Sequence, residues 1–226
     1  MPMNLLAIDT STESATVAIS QGFSIYSLEL VGARQHAQNL LPMIQKLMAQ
    51  HALSWSALQG IVFDQGPGSF TGLRIGCSIA KALAYAHHLP IFGISSMQVI
   101  FEQAKALTRP PDTGILACGD ARMQEIYWAY YAPDDPEIAP IRVDAVGAIQ
   151  LSSKHPILLA GWGLDSYHLD WPSTLRQKFI GQYSMFPKAE TLIRLVQSGE
   201  YNAMTAADAL PLYVRNQVTH SGETHG

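Results

Sequence analysis

Charged residues are scarce in this sequence of 226 residues: they make up 14% of it, against about 25% in an average soluble chain. Apolar residues make up 48%, and the formal net charge is only −4. Disorder requires low hydrophobicity and high net charge, so this composition excludes it. The negative balance also excludes nucleic-acid binding through a broad basic surface. Because few charges are available to cover the surface, we expect some exposed apolar area to meet a partner.

Cysteine is nearly absent, and the two that occur, Cys77 and Cys118, lie far apart in the chain. This excludes a disulfide framework and a paired-cysteine zinc or redox motif, and we expect two buried thiols. No apolar run reaches the roughly 18 residues that a membrane helix needs, and no signal-peptide pattern precedes the first strand. The sequence therefore predicts a cytoplasmic protein without membrane contact.

The N-terminal part of the chain alternates short apolar strands with two amphipathic helices. The predicted strands are 4–9, 15–20, 24–30, 60–63 and 91–94, and the predicted helices are 37–51 and 73–88. The order β-β-β-α-β-α-β is that of a ribonuclease-H-like lobe, the unit from which actin-like folds are built.

Two prolines and a glycine at 108–114 predict a boundary between two domains, 1–107 and 108–226. After this boundary the opening pattern recurs in weaker form, because 115–120 is again an apolar run that ends in aspartate. We interpret the recurrence as a degenerate internal duplication. The sequence therefore predicts an α/β protein of two ribonuclease-H-like lobes, the second shorter, in the actin-like ATPase (ASKHA) superfamily.

A strand that ends in Asp9 and continues into Thr10 and Ser11 could present a carboxylate, hydroxyls and N–H groups to a phosphate or its Mg²⁺. The alternative is a turn in which these side chains bond their own backbone. Asp120 stands in the equivalent place of the second half, where a ligand contact and an internal ion pair with Arg122 are both open.

A glycine-rich loop, GPGSFTGLR at 66–74, precedes the second helix. It is not a P-loop, because no Lys-Ser/Thr follows its last glycine, and its G-x-G-x-x-x-G spacing is not that of the dinucleotide fingerprint. Gly66, Gly68 and Ser69 could place N–H groups around an anion at the helix N-terminus. The alternative is a structural turn in which Ser69 or Thr71 caps the helix.

Small residues recur every four positions along the second helix, at Gly72, Gly76, Ala80 and Ala84. They share one face, on which another helix could pack unusually closely. This face either packs into the core or, together with the apolar first helix, forms a partner surface. On the second reading, Gly76→Leu or Ala80→Leu is expected to abolish pairing in a chain that still folds.

No histidine pair has metal-ligand spacing, and no Ser-His-Asp set follows from the order of the residues. The sequence therefore predicts no metal site and no catalytic residue. A protease is disfavoured for the same reason.

Several long motifs, in this order and spacing, give the chain a resemblance to the TsaB (YeaZ) family over residues 4–216. They are LLAIDTSTESATVAIS, RQHAQNLLPMI, GPGSFTGLRIG, GISSM, DARMQEIYWAYY and PLYVRN. The resemblance implies a two-lobed actin-like protein of the bacterial cytosol. It also implies a role in making threonylcarbamoyladenosine, a modified nucleoside next to the tRNA anticodon.

The resemblance further implies a non-catalytic paralogue of the catalytic subunit TsaD, which holds a metal through an HxxxH pair. Here His36 is followed four residues later by Leu40. The implied partners are TsaD, bound through helices 37–51 and 73–88, and the small P-loop ATPase TsaE. Transfer RNA would bind only through the complex, and ATP or ADP could lie at the interface. Gln65 stands where many relatives have arginine.

The residues predicted to contact the TsaD-like partner are Leu40, Met43, Ile44, Leu47, Gly72, Leu73, Arg74, Gly76, Ala80 and Leu83. The same helices could form a homodimer when that partner is absent. The alternative function is an independent actin-like ATPase or kinase, in which Asp9 and Asp120 would hold Mg²⁺–nucleotide between the lobes.

Overall fold

A computed structural model describes residues 2–32, 36–108, 111–135, 137, 139–167 and 170–214. Its strands are β1 (Leu5–Asp9), β2 (Ser14–Gln21), β3 (Ser24–Val31), β4 (Gly60–Gly66), β5 (Ile91–Ser95), β6 (Gly114–Asp120), β7 (Glu125–Tyr131), β8 (Arg142–Ala145), β9 (Ile157–Trp162) and β10 (Phe179–Ser184). Its α-helices are α1 (His36–Gln50), α2 (Phe70–His87), α3 (Ser96–Lys105), α4 (Ser173–Arg176) and α5 (Ala189–Ser198). None of the helices in these ranges is long and apolar enough to cross a membrane.

The strands form two five-stranded sheets with the same topology. The first has the order β3-β2-β1-β4-β5 and the second the order β10-β9-β6-β7-β8. In each sheet the first three strands of the chain form an antiparallel meander, and the last two run parallel to the first. The predicted repetition of an α/β lobe is therefore confirmed.

Strand β1 lies at the centre of the first sheet and is buried on both faces. Leu6 and Ile8 pack towards α1 and α2, whereas Leu5 and Ala7 pack towards α5. A strand covered on both faces is apolar throughout rather than alternating, which explains the sequence LLAI. The strand ends at Asp9, where the candidate site begins.

Two helices exchange places between the lobes. Helix α3 follows the last strand of the first sheet, but its Met97 and Ile100 pack against the second sheet. Helix α5 follows the last strand of the second sheet, but its Leu192 and Ile193 pack against the first. The predicted boundary at 107/108 thus separates the two sheets but not the two hydrophobic cores. Helix α3, which the sequence analysis did not predict, is one of the two helices that cross between the lobes.

Residues 204–214 return to the first lobe and lie across α2, and we call them the C-terminal strap. Met204 pairs with Ile91 at the edge of the first sheet. Further along, Leu212 N–H donates to the Gln65 carbonyl at 2.7 Å, and Lys81 Nζ donates to the Ala209 carbonyl at 2.9 Å. The strap therefore ends at the mouth of the space between the lobes.

Candidate functional site

A cleft of about 940 Å³ lies between the two lobes. It is lined by residues 11–13, 68–70, 73 and 74 of the first lobe, by 120–122, 127, 162, 163 and 186 of the second half, and by 212–214 of the strap. The first-lobe side consists of the loop after β1 and the start of α2. The other side is richer in aromatic rings, with Tyr127, Trp162 and Phe186.

The start of α2 is pressed against the loop after β1, and glycine permits the contact. A β-carbon at Gly68 would lie 2.2 Å from the Ser11 carbonyl oxygen, and one at Gly72 would lie 2.0 Å from that of Thr10. Two hydrogen bonds hold the contact, from Ser69 N–H to the Ser11 carbonyl at 2.6 Å and from Thr10 Oγ1 to the Gly72 carbonyl at 2.7 Å. The small-residue face of α2 is thus a core contact.

Ser69 caps the N-terminus of α2, as expected if the glycine-rich loop is a structural turn. Its hydroxyl accepts from the Gly72 N–H at 3.3 Å. Within the described residues, the N–H groups of Phe70 and Thr71 have no acceptor. No acidic residue occupies the first turn. Free N–H groups and the positive end of the helix dipole favour an anion at this place.

Two buried carboxyl groups lie side by side under the first-lobe end of the cleft. Asp9 ends β1, Asp64 lies near the end of the neighbouring parallel strand β4, and the two are 0% and 3% exposed. Asp9 Oδ1 accepts from Ser11 N–H at 2.8 Å. Asp64 Oδ1 accepts from Gly66 N–H at 2.7 Å and from Ser96 Oγ at 2.6 Å. The Oδ2 atom of each is buried and has no hydrogen-bond partner among the described residues.

Burial disfavours the charged form of both carboxyl groups. It raises the pKa of Asp9 from 3.8 to about 6. Burial, and then the negative charge of Asp9, raise the pKa of Asp64 well above 3.8. Two adjacent buried carboxylates repel each other, so the ionisation of one disfavours the ionisation of the other. The sequence analysis missed Asp64, although its signal was present: an aspartate directly follows a short apolar strand, as at Asp9.

The predicted phosphate-facing residues divide into two groups. Ser11, Gly68, Ser69 and Asp120 line the cleft. The prediction was wrong for Asp9, Thr10 and Gly66, which are buried and do not line the cleft. Thr10 is covered by Gly72 and Gly76 of α2. A Mg²⁺–nucleotide held jointly by Asp9 and Asp120 therefore does not fit these residues, since the Asp9 carboxyl has no exposed surface.

Asp120 is partnered within its own loop. Its Oδ1 accepts from Arg122 N–H at 2.7 Å, and its Oδ2 lies 3.1 Å from Arg122 Nη1. The internal ion pair is thus formed. Arg122, Met123 and Gln124 follow with φ of 64°, 56° and 64°, a left-handed run that non-glycine residues rarely adopt. This strained loop borders the cleft.

Most of the residues predicted to bind the partner belong to the core. Leu40, Ile44, Leu47, Gly72, Gly76 and Ala80 are buried within this chain, and Leu73 is buried beneath the cleft. Met43 and Leu83 are half-buried, and Arg74 is exposed. The prediction was wrong for the buried residues, because apolar periodicity marks the inner face of a helix. Leucine at position 76 or 80 would overfill the core and would not leave a folded chain.

The outer face of α1 and α2 forms a shallow groove of about 440 Å³, which we call the helix-pair groove. It is lined by Ala37, Phe70, Thr71, Arg74, Ile75, Ser78 and Ile79. Leu41, 42% exposed, lies one turn after Ala37 on the same face of α1. These residues, rather than the buried ones, are available to a partner.

Gln65 does not face the cleft. Its side-chain amide lies against Gly93, and its Nε2 donates to the Leu210 carbonyl of the strap at 3.2 Å. The Gln65 side chain therefore holds the strap in this chain.

The described residues offer few side chains for metal binding or thiol chemistry. These contain no group of three or more His, Cys, Asp and Glu side chains that could hold a metal. Cys77 and Cys118 are free and buried, as predicted. The side chain of His36, the histidine that the resemblance aligns with an HxxxH pair, lies outside the described residues.

Comparisons with known proteins extend over nearly the whole chain. A family described as "TsaD: tRNA N6-adenosine threonylcarbamoyltransferase" matches residues 30–161. The chain is 30% identical to the "tRNA threonylcarbamoyladenosine biosynthesis protein TsaB" of Escherichia coli (strain K12), over 96% of each chain. The protein of that name from Haemophilus influenzae (strain ATCC 51907 / DSM 11121 / KW20 / Rd) is 28% identical over 96% of this chain and 95% of its own. The structure "YeaZ from Pseudomonas aeruginosa" superposes with a TM-score of 0.81 at 31% identity, over 93% of this chain and 99% of that one.

Proposed function

The chain belongs to the TsaB (YeaZ) family of tRNA threonylcarbamoyladenosine biosynthesis proteins, and on that basis we propose that it is the non-catalytic subunit that binds and activates a TsaD-type catalytic partner. Membership of this family also confirms the predicted two-lobed actin-like (ASKHA) fold. The proposed place of action is the bacterial cytoplasm.

The observation that carries this proposal is the near absence of charge on the outer face of α1 and α2. The two helices contain 15 and 18 residues, and their charged side chains are Lys46, Arg74 and Lys81. Lys81 is half-buried and donates to the strap, so Arg74 is the charge that lies in the groove. Charge depletion and exposed apolar side chains are typical of the centre of a protein interface. A partner of the same fold would present an equivalent helix pair, and two pairs pack as a four-helix contact.

The burial of Asp9 supports a non-catalytic role. In the alternative, an independent ATPase or kinase, Asp9 and Asp120 would hold Mg²⁺–nucleotide in the cleft. Asp9 is fully buried, and its Oδ1 is already used by the Ser11 N–H. ATP turnover by the isolated chain that is lost in Asp9→Ala would favour the alternative instead.

The remaining partners follow from the same proposal. The net charge of −4 is unsuited to holding tRNA by phosphate contacts, so tRNA binds through the complex, and a TsaE-like P-loop ATPase joins the same assembly. When the TsaD-type partner is absent, the helix-pair groove favours a homodimer, because an exposed apolar surface binds the best substitute available.

Leu41→Glu is expected to weaken binding to the TsaD-type protein of the same organism by about 30-fold or more, because it places an unpaired carboxylate in an apolar interface. Leu41 is 42% exposed, so the fold should tolerate the change. Isothermal titration calorimetry of the two purified proteins measures the effect.

Ile180→Glu is the matched control, since Ile180 is an apolar residue 51% exposed on β10 of the second lobe. We expect it to bind the partner like the wild-type chain. Equal affinities for Leu41→Glu and Ile180→Glu would show that the partner binds elsewhere.

A further inference from the structure

The buried Asp9–Asp64 pair is short of hydrogen-bond donors. Ile8 pairs with Phe63 in the parallel ladder of β1 and β4, so the aspartates that follow them lie side by side on one face of the sheet. The Oδ2 atom of each is buried without a partner among the described residues, and the equally unpartnered Ser11 hydroxyl faces both carboxyl groups. When both carboxyl groups are ionised, Ser11 brings a single proton to two acceptors. One further proton gives each carboxyl group a hydrogen bond, as burial requires.

The start of α3 covers Asp64 and joins it to the second lobe. Ser96, the first residue of α3, is fully buried, and its hydroxyl donates to Asp64 Oδ1 at 2.6 Å. Met97 and Ile100 pack against the second sheet, whereas Val99 packs against the first. Helix α3 is thus wedged between the lobes, and a rotation of the second lobe that widens the cleft pulls on the bond between Ser96 and Asp64.

The groups around Asp9 belong to the first sheet and to the start of α5. Thr16 lies opposite Asp9 in the ladder of β1 and β2, and its Oγ1 accepts from the Ala189 N–H at 2.8 Å. Lys188, the residue before α5, is the positive charge that faces Asp9, and it is already paired with Glu29 of β3. Burial outweighs the attraction of Lys188, so the pKa of Asp9 is raised. One shared positive charge therefore does not balance two buried carboxylates.

The two carboxyl groups bind protons more tightly when the cleft is closed than when it is open. In the closed form described above, burial raises the pKa of Asp9, and burial together with the charge of Asp9 raises that of Asp64. Water that reaches the pair in an opened form solvates the carboxylates, so each pKa returns towards its ordinary value of 3.8. The closed form then holds more protons than the open form, and a rise in pH favours the open form.

We infer that the Asp9–Asp64 pair is a proton-operated latch on the inter-lobe cleft: a proton held between the two carboxyl groups keeps α3 against the first sheet and the cleft closed, and its loss lets the second lobe rotate away. The inference goes beyond the proposed function and does not depend on it, because it concerns the isolated chain.

The first test measures the width of the cleft as the distance between two spin labels on the full-length chain, by double electron–electron resonance. Glu13→Cys and Met123→Cys place the labels on opposite rims, because Glu13 is an exposed part of the first-lobe lining and Met123, 81% exposed, belongs to the loop that borders the other side. Cys77 and Cys118 are buried and escape labelling. From pH 5 to pH 9 we expect the mean distance to increase by roughly 3 Å or more. A distance that stays constant would overturn the inference.

Asp64→Asn in the labelled chain imitates the protonated pair. Its oxygen accepts from Ser96 as before, and its amide N–H can donate to Asp9 Oδ2. We expect the short distance at every pH. Asp112→Asn is the matched control at an exposed turn, and it should widen with rising pH as the unsubstituted labelled chain does. If Asp64→Asn widens equally, the latch lies elsewhere and the inference fails.

Ser96→Ala tests whether the pair acts through α3, and it keeps both carboxyl groups in place. It removes the donor that stabilises the Asp64 carboxylate in the closed form and holds α3 to it. The open form is then favoured earlier, so we expect the midpoint of the widening to move down by about one pH unit. A midpoint that is unchanged or higher would show that the pair does not hold α3.

Discussion

Gly72→Ala is expected to lower the free energy of unfolding by about 3 kcal/mol or more, and chemical denaturation followed by circular dichroism measures it. The new β-carbon would lie 2.0 Å from the Thr10 carbonyl oxygen, and both positions are fixed by backbone. The loop after β1 and the start of α2 must then separate, which also breaks the bond from Thr10 Oγ1 to the Gly72 carbonyl. Helix propensity alone would predict that Gly72→Ala raises the free energy of unfolding, because alanine is favoured over glycine in a helix by about 1 kcal/mol.

Gly147→Ala is the matched control for this substitution. Among the described residues, a β-carbon there would meet the Asp170 carbonyl oxygen alone, at 3.4 Å, which is ordinary contact. We expect its stability to remain within about 0.5 kcal/mol of the wild-type value. If Gly72→Ala proves as stable as Gly147→Ala, then the loop and helix are not in the close contact described above.

Asp64→Asn is expected to stabilise the protein above pH 6 and to flatten the dependence of its stability on pH. The pKa of Asp64 is raised in the folded state by burial and by Asp9, so the folded chain binds more protons than the unfolded one. Stability is then greatest at low pH and falls as the pH rises from about 4 towards the folded pKa, by up to about 1.4 kcal/mol per pH unit for each such group. Asparagine cannot ionise, and its oxygen can still accept the bonds from Gly66 and Ser96.

The measurement is a series of urea denaturation curves between pH 5 and pH 8. The wild-type free energy of unfolding should continue to fall above pH 6, whereas that of Asp64→Asn should remain level once Asp9 has ionised, at its pKa of about 6. Asp112→Asn, at an exposed turn, should follow the wild-type curve. Parallel curves for Asp64→Asn and Asp112→Asn would mean that the Asp9–Asp64 pair does not hold a proton in the folded state.

The strands with a clear apolar pattern were predicted well, whereas the exposed edge strand β10 and the helix α3 were not. Strands β1 and β2 were predicted within one residue of their observed bounds, because buried strands are apolar or strictly patterned. Strand β10 was missed, since four of its six residues are exposed and carry no pattern. Helix α3 was missed although Ser95 and Gln98 form a capping box at its start, a signal that the sequence does contain.

The candidate site shows a different limit of sequence reasoning. Ser11, Gly68 and Ser69, which local motifs predicted to face a phosphate, do line the cleft, because a loop after a strand and a helix N-terminus meet at the same edge of a parallel sheet. The motifs could not show that the start of α2 would cover Thr10, since that burial depends on a contact between Thr10 and Gly72, 62 positions apart in the chain. Arg74 was predicted to contact the partner, but its shared position between two surfaces depends on the strap, far along the chain.

The exchange of α3 and α5 between the lobes has a consequence for biosynthesis. The first sheet cannot cover its second face until residues 189–198 have left the ribosome, so synthesis is nearly complete before that face is buried. Such non-local contacts slow folding and prolong the exposure of apolar strands. A nascent chain that has reached residue 107 therefore carries a finished sheet with one face uncovered, which is a substrate for chaperones rather than an independent domain.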